Sequence, residues 1–146
     1  MRPSIRPARV EDIAALHRIR LAVRENALTD PGRVTEASYI PFLTGRGMGW
    51  VAEQGGAPLG FAILDLDEAR LWALFVAPEA EGRGVGTSLL EAIRAFAATH
   101  RIARLRLGTA AGTRAARFYE RCGWTLVGPA GNGDIELEWD LAGGKD

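Results

Sequence analysis

Three glycines at alternate positions, Gly82, Gly84 and Gly86, stand between an apolar run and a helical pattern. The run, residues 71–76, reads Leu-Trp-Ala-Leu-Phe-Val, which is typical of a strand covered on both faces. From Val85 onwards the apolar residues recur at helical spacing. The first turn of a helix has backbone N–H groups without intrahelical partners and favours negative charge. The spacing therefore predicts a phosphate or pyrophosphate site at the start of this helix, with a purely structural turn as the alternative.

Two common phosphate-binding loops do not match this stretch. A Walker loop needs Lys and then Ser or Thr after its last glycine, but Thr87 follows Gly86 directly. A dinucleotide fingerprint needs a third glycine three residues after the second, and Thr87 occupies that position. Residues 81–86, Glu-Gly-Arg-Gly-Val-Gly, instead resemble the acyl-CoA pyrophosphate loop of the GNAT superfamily of N-acetyltransferases, Gln/Arg-x-x-Gly-x-Gly/Ala. Glu81 departs from that pattern, so we expect its carboxylate to face solvent or to pair with Arg83.

This resemblance implies two sets of residues that bind acetyl-CoA. Residues of the loop would bind the pyrophosphate: Glu81, Gly82, Arg83, Gly84, Val85, Gly86 and Thr87. The preceding strand bulges in the family, and its backbone groups bond the pantetheine arm and polarise the acetyl carbonyl. The matching residues here are Leu74, Phe75 and Val76. Backbone donors aimed at the developing oxyanion would supply the electrostatic stabilisation that acyl transfer needs.

A second stretch, residues 112–124, resembles the family motif Asn-x-x-Ala-x-x-Phe-Tyr-Glu-x-x-Gly-Phe. Phe118, Tyr119 and Gly123 fall in register, whereas Gly112 stands where the family often has a cofactor-binding asparagine. The resemblance implies that Tyr119 lies near the CoA sulfur and protonates the leaving thiolate, as a general acid can. The alternative is a core tyrosine, because the apolar residues of this stretch also recur at helical spacing.

The amino-acid composition limits the classes of protein to which this chain could belong. The 146 residues are 47% hydrophobic and 25% charged, which predicts one soluble domain spanning residues 1–146. Basic and acidic residues balance at 18 each, so no charge surplus favours nucleic acid or an anionic membrane. Without an apolar run of membrane-spanning length or a signal-peptide pattern, we expect a cytoplasmic protein. Cys122 and two histidines are too few for a disulfide or a typical zinc site, and we expect no metal.

The chain as a whole predicts the order strand, two helices, three strands, helix, strand, helix, two strands. A helix between the strands at 71–76 and 103–107 makes those strands parallel, whereas the hairpins are antiparallel. Residues 25–34 are predicted to form a loop, and residues 44–49, with three glycines, a flexible one. The fold class is therefore α/β, in the mixed-sheet α+β sense, with about seven strands and about four helices. The resemblance implies the same GNAT fold.

The sequence is less specific about the part of the protein that would bind the amine acceptor. Four acids are candidates for the general base, although solvated surface carboxylates are the alternative for each: Glu25, Glu53, Asp65 and Asp67. Four aromatic residues are candidates for an acceptor pocket, although most aromatics belong to the core: Tyr39, Phe42, Trp50 and Trp72. The variable region that builds this pocket in the family corresponds to residues 21–34 and 39–50.

The resemblance implies an enzyme that transfers an acetyl group from acetyl-CoA to a primary amine of a small molecule or peptide by direct attack. The alternative function is a non-catalytic acyl-CoA-binding sensor or structural module with the same fold. The oligomeric state, monomer or homodimer, is left open by the sequence.

Overall fold

Seven strands form one mixed sheet in the computed structural model, which describes residues 2–23 and 34–142. The strands are β1 (Ser4–Pro7), β2 (Gly47–Gln54), β3 (Ala57–Asp65), β4 (Arg70–Val76), β5 (Arg104–Ala110), β6 (Thr125–Gly131) and β7 (Asp134–Asp140). Their order in the sheet is β1-β2-β3-β4-β5-β7-β6. Only β4 and β5 are parallel; the other neighbours are antiparallel. The predicted fold class is confirmed.

Four α-helices flank the sheet in the described part of the chain: α1 (Ile13–Ala22), α2 (Ile40–Thr44), α3 (Val85–His100) and α4 (Arg114–Arg121). Short 3-10 helices, Val10–Asp12 and Glu36–Tyr39, directly precede α1 and α2. A Cβ on Gly49 would meet Leu43 of α2 and Ile63 of β3, whereas one on Gly60 of β3 would meet Val85 of α3. Because residues 60 and 63 of a strand point to opposite faces, α2 and α3 cover opposite faces. None of the described helices combines the length and apolar character needed to span a membrane.

The prediction of a flexible loop at residues 44–49 is wrong for residues 47–49, which begin β2. A Cβ on Gly47 would collide with the carbonyl oxygen of Leu64, and one on Gly49 would lie 2.8 Å from Leu43 Cδ2. These glycines therefore permit close approach of neighbouring backbone and side chains inside a strand. The predicted loop at residues 25–34 lies, except for Val34, outside the described residues.

Strands β4 and β5 diverge at the centre of the sheet. The residue pair Arg70–Arg106 is the only one that joins them in the part of the chain that the structure describes. Beyond this pair, the edge of β4 from Leu71 to Val76 is separated from β5, while its other edge stays paired with β3. The divergence opens a gap in the sheet that ends next to the start of α3.

An ion pair crosses the sheet where the two strands still meet. Arg70 of β4 donates to both carboxylate oxygens of Glu136 on β7, at 2.6 and 3.1 Å. The bridge passes over Gly108 of β5, where a Cβ would lie 3.6 Å from Arg70 Nη2. The guanidinium lowers the pKa of the Glu136 carboxyl below its ordinary value.

We expect Glu136→Gln to reduce the free energy of unfolding by about 1 kcal/mol at pH 7, because a two-bond charged pair becomes neutral. A carboxyl with a lowered folded pKa contributes stability that is complete above its unfolded pKa and is lost as the pH falls through the folded pKa. The urea unfolding curves of wild type and variant should therefore converge as the pH is lowered from the ordinary value of 4.5. The control is Glu91→Gln, whose partner Arg2 is exposed, and it should change little. A Glu136→Gln difference that persists in acid would contradict this account.

Candidate functional site

The loop between β4 and α3 presents backbone rather than side chains. Gly82 and Gly84 have φ values of +82° and +81°, a left-handed conformation that favours glycine. Apart from the glycine and its two chain neighbours, no atom of the described residues lies within 4 Å of the position that a Cβ would take on either residue. Gly84 is the N-cap of α3, and no side chain caps the helix. The first helical bond runs from Ser88 N–H to the Gly84 carbonyl, so the preceding amides of the turn are open to an anion.

The alternate spacing suggests that Gly86 makes room for an anion, but in the structure Gly86 makes room for a side chain of α4. A Cβ there would lie 2.9 Å from Cζ of Phe118 on α4. The third glycine therefore lets α4 pack closely against the first turn of α3, while its amide stays in that turn. This contact also fixes the position of Tyr119, the next residue of α4.

Glu81 pairs with Arg114, the first residue of α4, and not with Arg83. Arg114 Nη1 lies 3.3 Å from Glu81 Oε1, and both side chains are exposed. Arg83 instead makes a 3.5 Å contact with the carbonyl of Glu79. The pair places the Arg114 guanidinium beside the glycine turn, where its positive charge offsets the negative charge of Glu81.

The backbone of β4 offers hydrogen-bonding groups to the gap at alternate residues. A 2.8 Å bond from Ala77 N–H to the Leu59 carbonyl fixes which residues face β3. Because hydrogen-bonded residues alternate along an antiparallel strand, Phe75, two residues before Ala77, also turns its backbone N–H and C=O groups toward β3. Its carbonyl oxygen would lie 2.8 Å from a Cβ on Gly60 of that strand. Leu74 and Val76 therefore turn theirs toward the gap. Of the three residues predicted to contact the pantetheine arm, Phe75 is the one whose backbone faces away.

Tyr119 is buried on α4, next to Phe118, which contacts Gly86 in the first turn of α3. Its side chain is 7% exposed, and its ring packs edge-on against Trp124 with centroids 5.5 Å apart. Burial raises the pKa of Tyr119 well above its ordinary value, so the phenol is protonated at neutral pH. No hydrogen bond between described residues involves its hydroxyl, although a core tyrosine usually has such a partner. The hydroxyl is thus available as a proton donor.

A pocket of about 430 Å³ lies between α3 and α4, and Thr87 in the first turn of α3 is one of its lining residues. Its lining combines aromatic, aliphatic, basic, acidic and small side chains: Thr87, Leu90, Glu91, Arg94, Phe118, Arg121, Cys122 and Trp139. Arg94 stands over the Trp139 ring at 4.8 Å. Cys122 is half-buried here, and burial raises the pKa of its thiol. The pocket extends the glycine turn along the seam of the two helices.

The acids named as candidate bases are held in ion pairs. Glu53 accepts from Arg6 at 2.6 Å, and Asp65 accepts from Arg46 at 2.9 Å. Asp67 lies 3.8 Å from the same Arg46. The Arg46 bonds lower the pKa of the Asp65 carboxyl and make it a weaker base. Glu25 lies outside the described residues, within which no three His, Cys, Asp or Glu side chains gather as metal ligands.

Three of the four predicted pocket aromatics lie together. The Trp72 ring stacks on Phe42 with centroids 4.4 Å apart and meets Tyr39 edge-on at 5.3 Å. Trp50 is the exception, because it packs against Phe96 of α3 on the opposite face of the sheet. The prediction that Trp50 lines an acceptor pocket with the other three is wrong, because β2 directs the Trp50 side chain into the core under α3.

Sequence reasoning missed Arg20 on α1. Its guanidinium lies 5.2 Å from the ring centre of Trp72 and 4.8 Å from that of Phe75. The Nη1 atom is buried and has no hydrogen-bond partner among the described residues. A signal was present, because Arg20 stands four residues after the buried Leu16 and next to the buried Ile19, on the apolar side of α1.

Residues 45–126, more than half of the chain, match a family model described as an acetyltransferase (GNAT) domain. The matched span contains β4, the glycine turn, α3 and Tyr119. The family model thus covers the elements that form the site.

Solved structures share this fold over nearly the whole chain. A GCN5-related N-acetyltransferase from Rhodopseudomonas palustris is 25% identical, with a TM-score of 0.77 and 96% of each chain covered. The ribosomal-protein-S18-alanine N-acetyltransferase from Escherichia coli is 24% identical, with a TM-score of 0.79 over 95% of this chain and 94% of that one. The PaiA N-acetyltransferase from Thermoplasma acidophilum, solved with coenzyme A, is 17% identical, with a TM-score of 0.84 over 96% and 99%. At such identities the last two show the fold alone.

Proposed function

The chain belongs to the GNAT acetyltransferase family, and on that premise we propose that it transfers the acetyl group of acetyl-CoA to a primary amine. The observation that carries the proposal is the uncapped glycine turn at the start of α3, next to the open edge of β4. A turn of this kind binds an anion, and an open strand edge binds an extended amide-containing arm. Coenzyme A has both parts.

The residues present fit the cofactor's phosphate end. Gly82 and Gly84 leave free space where side chains would stand, and the amides of Val85, Gly86 and Thr87 belong to the uncapped first turn. These amides and the helix dipole would hold the pyrophosphate. The pocket of about 430 Å³ whose lining includes Thr87 would take the adenosine portion.

The open edge of β4 would position the thioester. Leu74 and Val76 turn their N–H and C=O groups toward the gap, where they would bond the amides of the pantetheine arm. Acetyl-CoA supplies an activated acetyl group, and a backbone N–H of this edge would stabilise the negative charge that develops on its carbonyl oxygen. The acceptor's free amine would attack from the α1 side of the sheet.

Tyr119 would supply the proton that the departing thiolate needs. Its phenol is protonated and buried, has no hydrogen-bond partner among the described residues, and follows Phe118, which contacts Gly86 of the turn. A positioned proton donor assists departure of the thiolate. We assign no general base, because the candidate acids Glu53 and Asp65 form ion pairs with arginines.

The second candidate function is a module that binds acyl-CoA without turnover. Glu81 and Gly112 favour this second function, because each stands where the family pattern has a residue that contacts the cofactor. The Glu81–Arg114 pair weakens this argument by restoring a cation at the turn. The unpartnered Tyr119 hydroxyl also argues for catalysis.

The experiment that separates the two functions measures thiol release from acetyl-CoA in the presence of a panel of primary amines, with binding measured by calorimetry. The enzyme predicts amine-dependent release together with mass-spectrometric detection of an acetylated product. The module predicts binding without amine-dependent release. Absence of both binding and release would contradict both functions.

The Glu81–Arg114 pair leads to opposite predictions for its two members. Glu81→Gln is expected to bind acetyl-CoA as well as wild type or several-fold more tightly at low salt, since Arg114 is released toward the phosphates and screening is weak. Arg114→Gln is expected to bind several-fold more weakly, because the remaining carboxylate then repels the anion. The measurement is calorimetric titration at two salt concentrations.

The control for this pair is Glu138→Gln, which removes a carboxylate paired with Arg106 on strands β5 and β7. Its affinity should equal that of wild type. Clearly weaker binding by Glu81→Gln would mean that the carboxylate itself makes a favourable contact.

A further inference from the structure

The environment of Arg20 is unusual among the arginines of the described chain. Arg6, Arg46 and Arg70 each bond a carboxylate at 3.1 Å or less. No ion pair between described residues involves Arg20, and its buried Nη1 has no hydrogen-bond partner. A buried charged donor without a partner is costly, and natural structures keep few of them. The residue as a whole is half-buried, so the guanidinium still reaches the surface.

Aromatic rings hold this guanidinium in place. Trp72 and Phe75 lie under it at 5.2 and 4.8 Å, which is the range of a cation–π contact. Tyr39 meets Trp72 edge-on and bonds His17 of α1 at 3.0 Å through its hydroxyl. The rings fix the plane of the guanidinium, and the Tyr39 hydroxyl interacts with it, but Nη1 has no hydrogen-bond partner among the described residues.

A β-bulge in β4 builds this arrangement. In the pairing with β3, Ala73 lies opposite Ile63 and Leu71 lies opposite Leu64, so Trp72 is an extra residue. Residues three apart on a regular strand point to opposite faces, yet Trp72 and Phe75 both contact one guanidinium. The bulge therefore turns Trp72 onto the α1 face. Bulges often re-aim side chains next to active sites.

The position of Arg20 links it to the proposed acetyl site. Its guanidinium rests on Phe75, and the residues on either side, Leu74 and Val76, carry the backbone groups that would hold the thioester. Resting on the proposed function, we propose that Arg20 binds a carboxylate of the acceptor, whose amino group then lies along β4 near the acetyl carbon. A guanidinium binds a carboxylate through two parallel bonds, which orients the acceptor. The substrates are therefore small amino acids, with the carboxylate close to the amine.

The first test compares amino acids with the matching amino acid amides in amine-dependent thiol release. Wild type is expected to prefer the acids by about tenfold or more in kcat/KM, as the loss of a two-bond charged contact predicts. Arg20→Gln should remove this preference by raising KM for the acids while leaving the amides unaffected. Arg20→Lys keeps the charge without the planar fork and should retain part of the preference. The control is Arg18→Gln, an exposed residue of the same helix, which should behave as wild type.

The second test measures binding without turnover. In nuclear magnetic resonance spectra of the chain saturated with coenzyme A, the Arg20 Nε–H and Trp72 indole signals should shift on addition of an amino acid but not of its amide. Each variant is first checked by thermal unfolding and by calorimetric binding of coenzyme A.

The outcomes separate this proposal from the proposed function. If amides and acids are used equally by wild type, or if the preference survives in Arg20→Gln, the carboxylate role is wrong and the transferase remains. If neither kind releases thiol while another amine of the panel does, the carboxylate role is wrong and the transferase remains. If no amine of the panel releases thiol, the transferase is wrong, and the Arg20 signal alone decides whether a carboxylate binds. An Arg20 signal that ignores both ligands would leave Arg20 as a structural contact between α1 and β4 only.

Discussion

Replacing Tyr119 by phenylalanine is expected to lower turnover by about 100-fold or more, while the affinity for acetyl-CoA stays near that of wild type. Phenylalanine keeps the ring and its edge-on contact with Trp124 but removes the proton. The loss should therefore appear in kcat under conditions where chemistry limits the rate, since slow product release could hide it. The assay uses the best amine found in the thiol-release panel.

The free energy of unfolding distinguishes this role from a structural one. Because the Tyr119 hydroxyl has no hydrogen-bond partner among the described residues, Tyr119→Phe should unfold at the same urea concentration as wild type. Tyr39→Phe provides the contrast, since its hydroxyl bonds His17 and its loss should cost about 1 kcal/mol. Full turnover in Tyr119→Phe would mean that the thiolate leaves unassisted or takes its proton from water.

Changing Gly84 to valine is expected to weaken coenzyme A binding at least tenfold, which corresponds to about 1.4 kcal/mol. Two effects act together. A branched side chain would occupy the open space in front of the helix turn, and φ of +81° is strained for any residue with a Cβ. The measurement is calorimetric titration of the folded variant.

Gly56→Val is the matched control for the strain. Gly56 has φ of +83° and equally open surroundings, but it lies in the β2–β3 turn. Both variants should lose similar stability, whereas only Gly84→Val should lose affinity. Equal affinities in the two folded variants would remove the glycine turn from the cofactor site.

The parts of the site that depend on local pattern were predictable from the sequence. A buried strand, alternate glycines and the helical spacing that follows them are set by neighbouring residues, and these patterns predict β4, the turn and α3. The mixed sheet also followed, because a helix between two strands forces a parallel pair. Tyr119 was identified through the resemblance of its helix to a family motif, which periodicity alone does not supply.

Contacts between distant elements were not predictable. Glu81 and Arg114 are 33 positions apart, and their pairing depends on how α4 packs on α3. The same packing assigns Gly86 to a contact with Phe118. The bulge at Trp72 shifts one residue in the register of two strands, and periodicity carries no signal of it. Arg20 was passed over because its unpartnered nitrogen becomes visible only when the facing rings are placed.

Residue-level mapping of coenzyme A by proton–nitrogen correlation spectra tests the central claim most directly, and a chain of 146 residues is within its reach. Saturation with coenzyme A is expected to shift the amides of the glycine turn, residues 82–87, and those of Leu74 and Val76 on the open edge of β4. The amides of Gly55 and Gly56, in the distant β2–β3 turn, should not move. Binding that leaves residues 82–87 unshifted, or no binding at millimolar cofactor, would contradict the account.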